Sequence, residues 1–145
     1  MPMGAGTQTV SVAVSADIFG KPVRGNGFCL TLRLAWSDAD PITVELAVDA
    51  DPPHPSLPTG TWVVLRDFLR YGLDEPTGDR GVRVRPGPLD RVTLELPRPH
   101  RAGPCRVSVS AAAVLAFLDA TTAIAPAGRL SETALDALIG QLLQH

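Results

Sequence analysis

The chain has 145 residues and a formal net charge of −2 at pH 7. That length suits one domain with a core of its own, and that charge excludes a strong global pull toward nucleic acid or anionic membrane. The only cysteines are Cys29 and Cys105, which argues against a disulfide scaffold and reads as two buried strand thiols rather than a bridge.

Residues 1–6 carry no pattern and read as a disordered tail, leaving 7–145 as a single domain. The stretch Met1 to Thr9 has neither the charged nor the apolar segment of a secretion signal. No apolar run approaches the roughly 20 residues of a membrane helix. A cytoplasmic protein without membrane insertion is the expectation.

The first strand is predicted near Thr7 to Ser15, with Val10, Val12 and Val14 on one face. After a Gly- and Pro-rich connection, Phe28, Leu30, Leu32, Leu34 and Trp36 share one face of a long strand, and Cys29, Thr31, Arg33 and Ala35 share the other. Ser37 to Pro41 turns the chain. Ile42, Val44, Leu46 and Val48 then alternate back, and the prolines between Asp49 and Gly60 predict a long loop. Thr61 to Leu65 reads as a buried strand that passes directly into a short helix at Arg66. Asp67 sits in the first turn, where a carboxylate meets the positive end of the helix dipole. Gly72 is read as the left-handed residue of a Schellman cap, with Leu73 folding back onto Phe68. Pro76 and Gly78 supply the turn that follows.

In the second half, Val82 and Val84 open a strand that Pro86 to Pro88 breaks. Val92, Leu94 and Leu96 form another, and Val107 and Val109 a third. Ser110 is placed to cap a helix over Ala111 to Thr121 with Val114, Leu115, Leu118 and Thr121 on one face. Ser131 can cap a last helix with a stripe of Leu135, Leu138, Ile139, Leu142 and Leu143, which suits either the core or another subunit. The plan is strands then a helix, twice over: an α+β protein of curved antiparallel sheets with helices and an approximate duplication in the order of its elements.

Chemistry is sparse. His54, His100 and His145 lie in loops or at the terminus, with His100 and Cys105 the nearest approach to a ligand pair, and no third or fourth ligand has zinc spacing. No nucleophile sits in a motif with its base, and the glycine clusters at Gly25-Asn26-Gly27 and Gly78-Asp79-Arg80-Gly81 read as turns rather than phosphate loops. Neither a catalytic site, a metal nor a cofactor is expected. Charge is the positive signal. Seven arginines, Arg80, Arg83, Arg85, Arg91, Arg98, Arg101 and Arg106, face only Asp90 and Glu95 between Arg80 and Arg106. The acids Asp38, Asp40, Glu45, Asp49 and Asp51 stand together without a base. These stretches suit solvated strand faces, complementary contacts with a subunit or partner, or phosphate binding through Arg83, Arg85 and Arg91. Phosphate binding is disfavoured because aromatic stacking platforms are missing.

Several pieces in fixed order resemble one family. Trp62, Arg66-Asp67, Leu69, Gly72-Leu73, Pro76-Thr77-Gly78 and Val82-Arg83-Val84-Arg85-Pro86 are similar to the central motif of the SsgA-like sporulation and cell-division proteins of actinobacteria. Leu34-Ala35-Trp36 with Asp40-Pro41, and Phe117-Leu118, Thr121 and Ile124-Ala125-Pro126-Ala127-Gly128, extend the likeness along nearly the whole chain. The resemblance makes Trp62, Arg66, Gly72, Pro76 and Gly78 the structural motif. It implies a fold similar to whirly-type single-stranded nucleic-acid binders, assembling as a homotrimer. It also implies a non-enzymatic regulator of sporulation-specific division or cell-wall remodelling. Such a protein acts through contacts with the septation machinery, as in recruitment of the tubulin-like GTPase FtsZ to division septa. A single-stranded nucleic-acid-binding module is the alternative.

Overall fold

The computed structural model describes residues 7–18, 29–53, 57–78, 81–98 and 103–126. The final helix placed after Ser131, the connection around Gly25, and Arg80, His100 and Arg101 lie outside them. Among the described residues seven strands and two helices follow the expected order: β1 (Thr9–Ile18), β2 (Cys29–Ser37), β3 (Asp40–Asp51), β4 (Gly60–Leu65), α1 (Arg66–Gly72), β5 (Arg83–Pro86), β6 (Arg91–Leu96), β7 (Cys105–Ser110) and α2 (Ala111–Ile124). The strands form one antiparallel sheet in the order β4-β3-β2-β1-β7-β6-β5.

The period of two decides which side is buried. Leu30, Leu32, Leu34 and Trp36 of β2 meet Val44, Leu46 and Val48 of β3 on one side. Val84, Val92, Leu94, Leu96, Cys105, Val107 and Val109 of β5 to β7 belong to the same cluster. β1 joins the halves: Thr9 to Ala16 pair with β2, whereas Asp17 and Ile18 pair with β7. The sheet curls around this core. The Trp62 indole of edge strand β4 donates a 2.8 Å hydrogen bond to the Pro97 carbonyl, just past β6 near the opposite edge. Helix α1 packs against both β3 and β5, covering the gap the curl leaves.

Ser110 caps α2 as expected, its hydroxyl accepting from the Ala113 N–H at 3.1 Å. The helix continues to Ile124, and its inward face comprises Val114, Phe117, Leu118 and Thr121, while Leu115 faces outward. Two further expectations are corrected. β3 runs through Asp51 instead of ending before Asp49, because its ladder with β2 continues through Thr31↔Asp49 and Cys29↔Asp51, and the first proline of the loop comes only at Pro52. β1 and β3 flank β2, and β4 and β5 stand at the two ends of the strand order. β4 is buried on one side alone, with Val64 inside and Val63 61% exposed, because among the described residues no layer covers the outer face there.

Gly72 needs its missing Cβ for a different reason from the one its sequence context suggests. It is the last residue of α1, followed by Leu73 at φ −70°, so no left-handed cap forms. A β-carbon on Gly72 would instead land inside the Val84 side chain and 3.1 Å from the Val84 backbone carbonyl carbon. The helix is glycine-ended so that it can lie directly on β5. Leu73 and Phe68 still pack against the core.

Candidate interaction surface

The arginines of α1 bind the two helices together. Arg66, at the start of α1, is 8% exposed. Its Nη1 donates to the Ala125 carbonyl at 2.8 Å and to the Thr121 hydroxyl at 3.4 Å. Its guanidinium carbon lies 5.4 Å from the centroid of the Trp36 ring, a cation–π contact within range. Burial pulls the Arg66 pKa below its ordinary value; Asp67 opposes that shift and Arg70 adds to it. Its buried Nε has no hydrogen-bond partner among the described residues. One turn later, Arg70 donates to the Thr122 hydroxyl at 3.2 Å and to Asp119 at 3.5 Å. Arg70 carried no signal of its own in the sequence beyond its i, i+4 spacing from Arg66, which places both on one side of α1.

The rest of the motif shapes the return from α1 to β5. Pro76 is exposed. Thr77 and Val84 exchange two 2.8 Å backbone hydrogen bonds, which covers part of the β5 edge. Gly78, at φ +122°, is the residue that only glycine accommodates, and a Cβ there would meet the Val82 carbonyl oxygen at 2.6 Å. The hairpin from β5 to β6 turns through Leu89 and Asp90, both at positive φ, with Arg91 N–H donating to the Pro88 carbonyl at 3.2 Å.

The three arginines proposed from sequence lie on one side of the sheet but do not act alike. By register, Arg83 opposes Glu95 and Arg85 opposes Thr93 across the β5–β6 ladder; Arg106 opposes Glu95 from β7. All therefore lie on the outer face, away from Val84, Leu94 and Val107. Arg106 Nε donates to Glu95 at 3.1 Å, and Glu95 is buried beneath its neighbours. Arg91 is committed to the fold. Its Nη2 donates to Asp17 of β1 at 3.0 Å and to the Ser108 carbonyl at 2.8 Å, and its Nε to the Ser108 hydroxyl at 3.0 Å. Arg83, Arg85 and Arg106 thus form the basic surface, and Arg91 ties β6 to β7 and β1. Sequence offered no means of finding Asp17, which is 74 residues from its partner.

The acids occupy the other end of the same outer face. Glu45, Asp49 and Asp51 are exposed along β3, alternating with buried Val44, Leu46 and Val48. Beside them on β2 are Thr31, the exposed Arg33 and Ala35, with Arg33 opposite Ala47 of β3 and Val63 of β4 opposite Glu45. A shallow open hollow of about 260 Å³ lies where β1, β2 and β3 meet, lined by Thr9, Ser11, Trp36, Asp40, Thr43 and Glu45 among others. In it the Thr43 hydroxyl donates to Asp40 at 2.6 Å. Cys105 is buried as expected, and burial pushes its thiol pKa up against the opposing pull of Arg98. Cys29 is exposed, because it begins β2 on the outer face opposite Asp51. Among the described residues no three His, Cys, Asp or Glu side chains gather as metal ligands, and no helix is long and apolar enough to cross a membrane.

Comparison with known proteins places this architecture. The family model described as "Streptomyces sporulation and cell division protein, SsgA" matches residues 30–129. A search of curated proteins gives no match. Among solved structures, SsgB, in which mutations correlate to longitudinal cell division during sporulation of Streptomyces coelicolor, superposes with a TM-score of 0.68 at 28% identity. That match covers 84% of this chain and 92% of SsgB. An SsgA-like sporulation-specific cell division protein from Thermobifida fusca YX-ER1 superposes with a TM-score of 0.69 at 25% identity, over 96% of this chain and 98% of that one. The motif from Trp62 to Pro86, the curled antiparallel sheet and these matches agree: the chain belongs to the SsgA family of sporulation and cell-division proteins.

Proposed function

We propose that this protein is a non-enzymatic regulator of sporulation-specific cell division or cell-wall remodelling, acting through protein contacts with the septation machinery in the manner of FtsZ recruitment. The observation that carries the reading is the family match across residues 30–129. Side-chain use supports a contact role. Arg66, Arg70, Trp62 and Arg91 spend their polar groups holding helices and strands together, while the charged outer face of the sheet is turned to solvent. In this reading the protein is cytoplasmic, moves to division septa, and works as a homo-oligomer, a trimer by family resemblance. A fluorescently tagged copy in sporulating actinobacterial cells should gather at nascent septa, and the purified protein should co-sediment with FtsZ polymers. Diffuse fluorescence together with unaltered septation on deletion would defeat the reading.

The second reading is a single-stranded nucleic-acid-binding module of whirly-like, duplicated design. It is favoured by Arg83 and Arg85 standing two residues apart on the outer face of edge strand β5. Phosphate contacts of that kind produce binding that weakens steeply with salt. Fluorescence anisotropy with a labelled thymidine oligomer should show weak binding or none in moderate salt. A submicromolar, salt-sensitive affinity lost in Arg83→Ala/Arg85→Ala would reverse the order of the two readings.

A further inference from the structure

We propose that the outer face of β2 and β3 is a bed for a helix of a partner protein, one that carries a basic, an acidic and a basic side chain at one-turn intervals along one side. The inference rests on the contact role proposed above and adds the surface and the kind of segment it fits. Arg33 of β2 lies in a row with Ala13 of β1 and Ala47 of β3. The row on one side of it holds Ala35 and Glu45, and the row on the other holds Thr31 and Asp49. Arg33, Glu45 and Asp49 are all exposed. Among the described residues none of their side chains makes a hydrogen bond or an ion pair. The face therefore shows negative, positive and negative charge in order along the strands, and nothing described within the chain answers any of it.

The spacing selects a helix. Glu45 and Asp49 stand four residues apart on one strand, about 13 Å, and Arg33 lies midway, one strand over. Helix positions i, i+4 and i+8 span about 12 Å, so a helix laid along β2 and β3 with Lys or Arg at its outer positions and Glu or Asp between them meets each of these charges at once. An added strand has no such use for this face, because the ladder bonds of β2 and β3 lie in the sheet plane and both strands have neighbours on either side. Ala13, Ala35 and Ala47 raise no side chain that would hold a helix off the sheet. Exposed ion pairs contribute little to affinity, so the charges set direction and register. Val63 of β4, 61% exposed opposite Glu45, supplies apolar contact along one flank. A helix of the opposite sign order is rejected, since it would set like charges together at every position.

Two measurements test it. A labelled alanine-based helical peptide of about 16 residues, with Lys, Glu and Lys at one-turn intervals, should bind in low salt and weaken as salt rises. Its counterpart with Glu, Lys and Glu should bind at least roughly tenfold more weakly. Arg33→Glu/Glu45→Lys/Asp49→Lys should invert that preference, with circular dichroism confirming the fold; a general loss of structure would not invert it. Equal binding of the two peptides, no binding of either, or a preference that the triple variant leaves unchanged overturns the surface. In sporulating cells the tagged parent should gather at septa and the tagged triple variant should not. A parent and a variant placed alike at septa overturn this surface alone. A diffuse parent overturns the contact role, while the peptide preference still decides the surface. A light-scattering mass that falls in the triple variant assigns the face to a second copy of the chain instead.

Discussion

Replacing Gly72 with alanine separates two explanations for one residue. The added carbon has no strained φ to contend with; it has Val84, which is fully buried and β-branched on a paired strand, so it cannot rotate aside cheaply. Forcing a methyl into such a contact costs about 3 kcal/mol, the upper part of the usual range for overpacking, set against a helix-propensity gain of about 0.5 to 1 kcal/mol from removing a glycine. The net loss of about 2 kcal/mol should lower Tm by roughly 5 to 8 °C in a chain of this size. Urea unfolding followed by tryptophan fluorescence measures it. The decisive variant is the pair Gly72→Ala/Val84→Ala. Val84→Ala alone should cost about 2 kcal/mol for lost burial and the cavity left behind. In its presence Gly72→Ala should become nearly neutral, giving a coupling of about 2 kcal/mol in a double-mutant cycle. If Gly72→Ala costs the same in both backgrounds, the clash with Val84 is not its cause.

Two further substitutions test other joints of the sheet. Trp62→Phe keeps most of the apolar ring but removes the bond to Pro97, so it should cost about 1 kcal/mol, against about 2 to 4 kcal/mol for Trp62→Ala; equal losses, read by urea denaturation, would show that the hydrogen bond adds nothing. Leu89 is 92% exposed and held at φ 55°, a conformation costly for a branched side chain, so Leu89→Gly should stabilise by about 1 kcal/mol, and a lower Tm would refute the assigned turn.

The strands were legible because one side of each is apolar in strict alternation; β2 and β3 declare their buried sides through Leu30 to Trp36 and Val44 to Val48. The helix α2 was legible from Ser110 and its apolar positions, although a helix apolar nearly all round does not reveal whether Leu115 or Phe117 turns inward. What sequence could not carry was neighbourhood. Gly72 at a helix end looks the same whether it adopts a left-handed cap or lets a strand approach, because the deciding atom belongs to Val84. The charged surface was visible as composition, yet separating Arg91 from Arg83 and Arg85 required Asp17, brought alongside by the β1–β7 pairing. Cys29 similarly needed its register with Asp51 before its exposure was evident.

That shared strand also governs when the protein can become whole during synthesis. β1 leaves the ribosome first but completes its far end with β7, and the Asp17 carboxylate waits for an arginine 74 residues downstream. At about 5 to 20 residues per second, the delay is roughly 4 to 15 s. During it Val10, Val12 and Val14 lack the covering that α2 supplies, and the emerging chain carries an unpaired strand side of the kind chaperones hold. The two strands-then-helix segments therefore cannot mature as independent halves, and a fragment ending after α1 would retain the β1–β2–β3–β4 ladder while leaving the end of β1 and the helix surface that rests on β5 without their counterparts.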